Sequence, residues 1–259
     1  WYDAMTYEYG RYHENALGEY NYNFMQPENG ENPVDTFFAN FNWGKSEVDY
    51  SISTAKWIHR NPYDVLAGLE LQKGGSYKTN VDWNAILDEH GKLRLSLGLY
   101  APDTITGLGK TGEGYHTHED LFWTGFQGDP TKGKPADQSW YGMSNLVVDK
   151  TPITSEDFNT SFNTGHGKHW FVDGKISKEG EWNYRSVSGY LPTWRWWVEH
   201  SEDSAPLKGR YDFDQAYNGG NSLAFEGDLK ANSSQNVMLY STKIPVTETT
   251  KLSVSHKGG

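Results

Sequence analysis

Three apolar runs of strand length, separated by segments with helical periodicity, mark the first hundred residues. The runs cover residues 36–43, 64–71 and 93–101, and the middle run is apolar almost without a break, as in parallel strands that are buried on both faces. A fourth strand is predicted at residues 1–6, which are rich in large side chains. Strands that alternate with helices are typical of βα units in a parallel sheet, so the pattern predicts an α/β fold.

Two helices are predicted between these runs. The first should begin at Ser46 as its N-cap and end at Asn61-Pro62, because Ser favours the N-cap and Pro cannot continue a helix. The second is shorter and covers residues 81–89. The apolar positions of the first helix share one face: Val48, Ile52, Ala55 and Ile58.

The amino-acid composition and the hydrophobic pattern change after residue 102. Gly, Pro, Thr and Asp punctuate residues 103–150, which have room for one more helix, and short alternating strands separated by turns follow from about residue 156, as in a β-sandwich. A (β/α)₈ barrel takes roughly 250 residues, but the four predicted strands already end at residue 101. We therefore predict that residues 1–155 are the second half of a (β/α)₈ TIM barrel, strands 5–8, and that residues 156–259 are a β-sandwich module that appears incomplete.

Composition narrows the class of ligand. The formal net charge of -11 argues against nucleic acid or an anionic membrane surface as a partner, and no apolar run is long enough to span a membrane. The chain lacks Cys but contains 11 Trp, 17 Tyr and 11 Phe. Aromatic faces beside polar groups suit flat, hydroxylated ligands such as sugars, although an all-β core also uses many aromatic residues.

Polar and aromatic side chains follow the predicted strands at their carboxyl ends, where barrel enzymes place their active sites. Glu70 is unusual, because a lone carboxylate in an apolar strand costs several kcal/mol unless it has a partner or faces a polar cavity. Trp1 and Phe41 could instead be plain core residues. We predict neither a metal nor a cofactor for this set. Its members are Trp1, Tyr2, Asn40, Phe41, Trp43, Glu70, Gln72 and Tyr100.

Two further motifs have competing explanations. His116-Thr-His118-Glu-Asp could ligate a metal only if a third ligand approached it, and its Gly-rich surroundings favour an exposed segment instead. Asp212, Asp214 and Asn218 could form a Ca²⁺ loop, although their spacing is not that of an EF-hand.

Several segments, almost end to end and in order, carry a resemblance to a known family. They include WYDAMTYEYGRYHENALGEYNYNFMQP, FFANFNW, RNPYDVLAGLELQKGGSYKT, LRLSLGLYAPDTI and TSFNTGHGKHWFVDGK. These segments resemble glycoside hydrolase family 85, the endo-β-N-acetylglucosaminidases, and particularly the bacterial surface enzymes of the Endo-D type. The resemblance implies a secreted or cell-surface bacterial protein that acts on the N-glycans of glycoproteins.

The resemblance also implies a mechanism. Enzymes of this family hydrolyse the GlcNAc-β1,4-GlcNAc core with retention, through an oxazoline formed by the substrate's own 2-acetamido oxygen, an exception to the two-carboxylate scheme. A Glu protonates the leaving oxygen, and an Asn two residues before it orients the acetamido group. This Asn-x-Glu has no counterpart here, so the resemblance implies that both residues lie outside this chain, in the first half of the barrel.

Individual roles carry over where positions match. Tyr2 matches the Tyr that contacts the acetamido group, which implies a catalytic role, and His13 stands in a loop where other members carry Trp, which leaves its substrate-binding role open. Substrate-binding positions are further implied for Asn40, Trp43, Glu70 and Gln72. The tryptophans of the second domain would join it to the barrel or bind sugar: Trp194, Trp196 and Trp197. The alternative function is a non-catalytic carbohydrate-binding or surface-adhesion module.

Overall fold

The chain forms two compact units. The computed structural model describes residues 5–7, 10–11, 15–109, 112–125, 140–147, 151–192 and 196–258. The first unit comprises residues 1–110 and 136–140, and the second comprises residues 111–135 and 141–259. No helix in these described ranges is long and apolar enough to cross a membrane. The predicted domain boundary between residues 155 and 156 stays a prediction.

The first unit is built on a parallel sheet with helices between its strands. Its strands are β1 (Met5–Thr6), β2 (Gly10–Arg11), β3 (Phe37–Ala39), β4 (Val65–Glu70) and β5 (Ser96–Tyr100). Its α-helices are α1 (Lys45–Trp57), α2 (Leu71–Gly74) and α3 (Trp83–Ile86), and its 3₁₀ turns are Tyr22–Phe24, Pro62–Asp64, Ser76–Lys78 and Pro102–Gly107. Strands β3, β4 and β5 pair in that order, both pairs parallel, which confirms the predicted α/β character.

One face of strand β4 is buried against the helical layer. Side chains alternate along a strand, so Val65, Ala67 and Leu69 point to the same face. All three are almost fully buried. Helix α1 packs against this strand. On the predicted apolar face of α1, Val48, Ala55 and Ile58 are buried and Ile52 is half-buried. The helical period therefore identified the buried stripe correctly.

The helix ends differ from the prediction. Helix α1 begins after Gly44 rather than Ser46, because the carboxylate of Glu47 accepts the Gly44 N–H at 2.9 Å while the Ser46 hydroxyl bonds to that same carboxylate. The predicted helix over 81–89 is confined to α3. Beyond it, Asp88 accepts the N–H groups of His90 and Lys92 at 2.9 and 2.8 Å. A side chain that bonds nearby amides competes with the helix ladder and forms a turn.

The predicted strand at residues 1–6 is found only in part. Residues 1–4 lie outside the described residues, and β1 pairs antiparallel with β2 instead of joining the parallel sheet. Within the described ranges, these two strands form a sheet of their own. The expectation of a fourth parallel strand is therefore not met by Met5 and Thr6.

Where the second unit is described, it combines helix α4 with antiparallel pairs of strands. Its elements are α4 (Gly112–Thr124), the 3₁₀ turns Met143–Asn145 and Arg185–Val187, and the strands β6 (His166–Val172), β7 (Lys175–Asn183), β8 (Trp197–Glu199), β9 (Lys208–Asp212), β10 (Ser222–Glu226) and β11 (Asn236–Met238). The pairs are β6 with β7, β9 with β10 and β8 with β11. The predicted change to short antiparallel strands is thus seen from residue 166 onwards.

Trp196 lies in the core of this unit. Its side chain is 8% exposed and packs edge-on against Tyr211 and Phe225. Leu191, Leu223, Val237 and Leu239 surround this cluster. Trp196 is therefore not available to bind sugar, Trp197 is half-buried on β8, and Trp194 lies outside the described residues.

The close approach of Trp196 to Gly209 generates a stability prediction. A Cβ added at Gly209 would collide with the indole ring of Trp196, so Gly209→Ala should lower the free energy of unfolding by about 1–3 kcal/mol, as overpacking does. Urea unfolding of the two proteins measures this difference. Gly258→Ala is the matched control, because an added Cβ there meets nothing, and equal losses from both substitutions would contradict the packing argument.

Candidate functional site

The carboxyl ends of the three parallel strands meet at one edge of the sheet. Glu70 at the end of β4 pairs in register with Tyr100 at the end of β5, and Phe41 and Trp43 follow shortly after β3. A cavity of about 110 Å³ opens at this edge. Its lining residues are Phe41, Trp43, Gly68, Leu69, Glu70, Thr79, Asn80, Val81 and Asp82.

Aromatic rings form one side of this site. The rings of Phe41 and Tyr100 lie 5.1 Å apart, centre to centre, at an angle of 55°. The indole N–H of Trp43 donates to the carbonyl oxygen of Gly68 at 2.9 Å. This hydrogen bond fixes the indole against the strand end, so the aromatic side of the cavity is held in place before any ligand arrives.

Glu70 makes hydrogen bonds through both its side chain and its main-chain carbonyl. Its Oε1 accepts the N–H groups of Gln72 and Lys73 at 3.0 and 3.3 Å and so caps helix α2. Its carbonyl oxygen accepts the hydroxyl of Thr79 at 3.0 Å. The sequence demanded either a partner or a polar cavity for this carboxylate, and the structure provides both.

The structure brings together only some of the predicted site residues. Phe41, Trp43 and Glu70 line the cavity, and Tyr100 reaches it through Phe41. Asn40 is half-buried beside this group but is not among the cavity residues, and Gln72 is exposed on α2 rather than at a strand end. Trp1, Tyr2 and His13 lie outside the described residues, and their roles stay predictions.

The sequence reasoning missed one side of the cavity. Thr79, Asn80, Val81 and Asp82 follow Gly75 in the connection from β4 to α3, and the sequence prediction assigned 81–89 to a helix. In parallel α/β folds, the loops after the strands build the site. That rule, applied to the connection after residue 71, would have selected this segment.

The chemistry of the cavity suits a polar ligand with an apolar face. Phe41 and Trp43 offer aromatic surface, while Glu70, Asn80 and Asp82 offer carboxylate and amide groups around it. Sugar rings present C–H groups on a face and hydroxyl groups on a rim, which this combination matches.

The histidine motif of the second unit is used inside the protein. His116 is 6% exposed; its Nδ1 lies 3.0 Å from Glu119 Oε2, and its Nε2 lies 3.4 Å from His166 Nε2. Because a carboxylate can only accept, His116 donates through Nδ1–H to Glu119, and in the contact between the two rings one Nε2 donates to the other. Among the residues that the structure describes, no group of three or more His, Asp or Glu could hold a metal ion.

The candidate Ca²⁺ residues also bond to protein groups. Asp214 forms an ion pair with Lys168 at 2.8 Å, which lowers the pKa of that carboxyl. Asp212 accepts the Asp214 N–H at 2.9 Å. Asn218 accepts a backbone N–H at 3.1 Å. These contacts join Asp214 and Asn218 to β6 and the turn that follows it, and Asp212 to the backbone of Asp214.

The cavity lies at the carboxyl edge of the parallel sheet, where α/β folds place their ligand and active sites. The sequence profile of glycosyl hydrolase family 85 matches residues 1–170. The chain therefore belongs to glycosyl hydrolase family 85.

Solved and curated relatives agree with this family. The chain is 68% identical to the crystal structure of the glycoside hydrolase domain of Endo-D from Streptococcus pneumoniae R6, with a TM-score of 0.91 over 96% of this chain and 39% of that chain. Cytosolic endo-β-N-acetylglucosaminidases from Danio rerio and Arabidopsis thaliana are 25% and 23% identical over 99% and 95% of this chain. The chain spans 32% of each of these two curated relatives.

The bond from Trp43 to Gly68 generates a prediction for the site. Trp43→Phe removes the indole N–H, so the carbonyl oxygen of Gly68 loses this hydrogen bond. The free energy of unfolding should therefore fall by about 1–2 kcal/mol. Urea unfolding measures the change. Trp57→Phe is the control, since Trp57 is 64% exposed; a loss as large as that from Trp43→Phe would show that the hydrogen bond contributes little.

The histidine pair generates a prediction for pH. Burial first, and then the charges of Arg185 and His116, lower the pKa of His166 from 6.5 to about 4, with Glu119 opposing them. Between these two values the unfolded chain binds more protons at this ring than the folded chain does. The free energy of unfolding should therefore be highest above pH 6.5 and fall as the pH drops towards about 4.

Urea unfolding across this pH window tests the contribution of His166. His166→Gln should flatten the decline, because the amide does not titrate, whereas His200→Gln on the exposed surface should preserve the wild-type slope. An unchanged slope in the His166 variant would show that other groups cause the decline.

Proposed function

We propose that the protein that contains this chain is an endo-β-N-acetylglucosaminidase that hydrolyses the GlcNAc-β1,4-GlcNAc core of N-glycans. The observation that carries this proposal is the cavity lined by Phe41, Trp43 and Glu70 at the carboxyl edge of the parallel sheet, in a chain of family 85. The names of the relatives, Endo-D and cytosolic endo-β-N-acetylglucosaminidase, support the same activity.

The wall of the cavity is proposed to bind the sugar. Phe41, supported by Tyr100, offers an apolar face to the C–H groups of a pyranose ring, and Glu70 and Asp82 accept hydrogen bonds from its hydroxyl groups. The cavity of about 110 Å³ is smaller than the roughly 300–1,000 Å³ of typical ligand sites. Its size supports a site that further residues complete.

The bond-breaking groups are proposed to lie outside this chain. In a substrate-assisted reaction, the 2-acetamido oxygen attacks the anomeric carbon as a general acid protonates the leaving oxygen, and water then opens the oxazoline with net retention. The family resemblance assigns the acid to a Glu and the orientation of the acetamido group to an Asn. Tyr2 is proposed to hold that group and to stabilise its developing charge.

The surrounding architecture is proposed to follow the same resemblance. The parallel order of β3, β4 and β5 supports their assignment as strands six to eight of a (β/α)₈ barrel. The antiparallel pairs of the second unit support a β-sandwich. The resemblance to bacterial surface enzymes supports a secreted or cell-surface location.

The activity is tested with the full-length protein and a glycoprotein whose N-glycans are trimmed to the trimannosyl core. Mass spectrometry should show release of the glycan with a single GlcNAc left on the protein. A product that retains both GlcNAc residues, or binding without release, would overturn the proposal, and binding alone would favour the carbohydrate-binding alternative.

Glu70 provides the sharpest variant for this assay. Glu70→Gln keeps an oxygen that can accept the two amide N–H groups of α2 but removes the negative charge from the cavity, so kcat/KM should fall by roughly tenfold. Glu89→Gln is the matched control, because that side chain is 87% exposed, and its kcat/KM should stay within about twofold. Wild-type activity in Glu70→Gln would remove Glu70 from the substrate site.

A further inference from the structure

Two glycines on neighbouring strands make room for an aromatic ring. Gly68 on β4 and Gly98 on β5 are paired in register. A Cβ added at Gly68 would lie 2.6 Å from Cε1 of Phe38, and one added at Gly98 would collide with Cε2 of the same ring. The ring of Phe38, on β3, therefore lies across both strands in the space that two missing side chains leave.

This ring connects the sheet to the wall of the cavity. Phe38 is not one of the cavity residues, but its ring meets Phe41 edge-on, with centres 6.0 Å apart at an angle of 88°. Phe41 lines the cavity and contacts Tyr100 in turn. Edge-to-face and tilted ring pairs have preferred geometries, so each ring restrains the orientation of the next.

We propose that Phe38 is a positioning residue for sugar binding. Seated on Gly68 and Gly98, it holds the Phe41 ring at the orientation in which that ring lines the cavity and stacks on the substrate. The inference rests on the proposed function and adds a determinant one contact away from the ligand. It assigns a role to Gly98 as well, since this glycine sets how deep the Phe38 ring can lie.

Gly98 is the better glycine to change. At Gly68, an added Cβ would also approach the backbone carbonyl of Ala39 at 2.6 Å, so a substitution there disturbs the pairing of β3 with β4. At Gly98, the closest atoms are ring carbons of Phe38, and its backbone has an ordinary extended conformation. Gly98→Ala therefore acts first on the Phe38 ring.

The experiment measures KM and kcat of the full-length enzyme on a trimmed N-glycoprotein. Gly98→Ala should raise KM by about three- to tenfold and leave kcat within about twofold, because a stacking contact made equally in the ground and transition states is weakened. Phe38→Ala should give a similar rise. Phe38→Leu serves as a second variant in case Phe38→Ala unfolds too easily to assay. It retains an apolar side chain and should also raise KM while leaving kcat nearly unchanged.

The double variant separates positioning from general damage to the strand. Without the Phe38 ring, the closest remaining neighbour of an added Cβ at Gly98 is the Cβ of Leu66 at 3.3 Å, a contact that needs far less movement than the collision with the ring. Phe38→Ala combined with Gly98→Ala should therefore have a KM close to that of Phe38→Ala alone. Gly107→Ala is the matched control, since an added Cβ at Gly107 meets nothing, and it should leave KM unchanged.

The outcomes distinguish the two proposals. Wild-type activity together with an unchanged KM in Gly98→Ala would overturn the role of Phe38 and leave the proposed function standing. Fully additive effects in the double variant would overturn it as well. Absence of glycan release by the wild-type protein would overturn the proposed function and, with it, this inference.

Discussion

Glu70 ends a strand and begins a helix, and the geometry of the site depends on that double role. Its carboxylate accepts two amide N–H groups of α2, and its carbonyl oxygen accepts the hydroxyl of Thr79. These bonds hold the first turn of α2 and tie Thr79 to the end of β4, and Thr79 and Asp82 line the cavity together with Phe41.

Sequence patterns predicted the features that depend on burial. The run over residues 64–71 was apolar enough to require a strand covered on both faces, and β4 occupies Val65–Glu70. Glu70 was conspicuous for the opposite reason, because an unpartnered carboxylate in such a run is too costly to leave unexplained. Charge and hydrophobicity act at single positions, so the sequence alone could identify both the strand and its exceptional residue.

Features that depend on competition between nearby groups, or on distant contacts, could not be predicted in this way. Gly44 became the N-cap because Glu47 reaches back to it, and Asp88 formed a turn by accepting the N–H groups of His90 and Lys92. His116 suggested a metal motif by its spacing, yet one of its two ring nitrogens contacts His166, fifty residues further along the chain. Local spacing contains no information about that contact.

The glycine pair shows how residues inside a sheet can determine the position of a side chain near the site. Glycine in the interior of a strand costs roughly 0.5–1 kcal/mol relative to alanine, and Gly68 and Gly98 incur that cost side by side. In a parallel sheet, neighbours at one level come from distant positions, and no local pattern reveals that these two glycines face the same ring. The cost is offset only if the space they leave is filled, and the ring of Phe38 fills it while its edge contacts Phe41. The two glycines therefore determine where the Phe38 ring lies, and the Phe38 ring restrains the aromatic wall of the cavity.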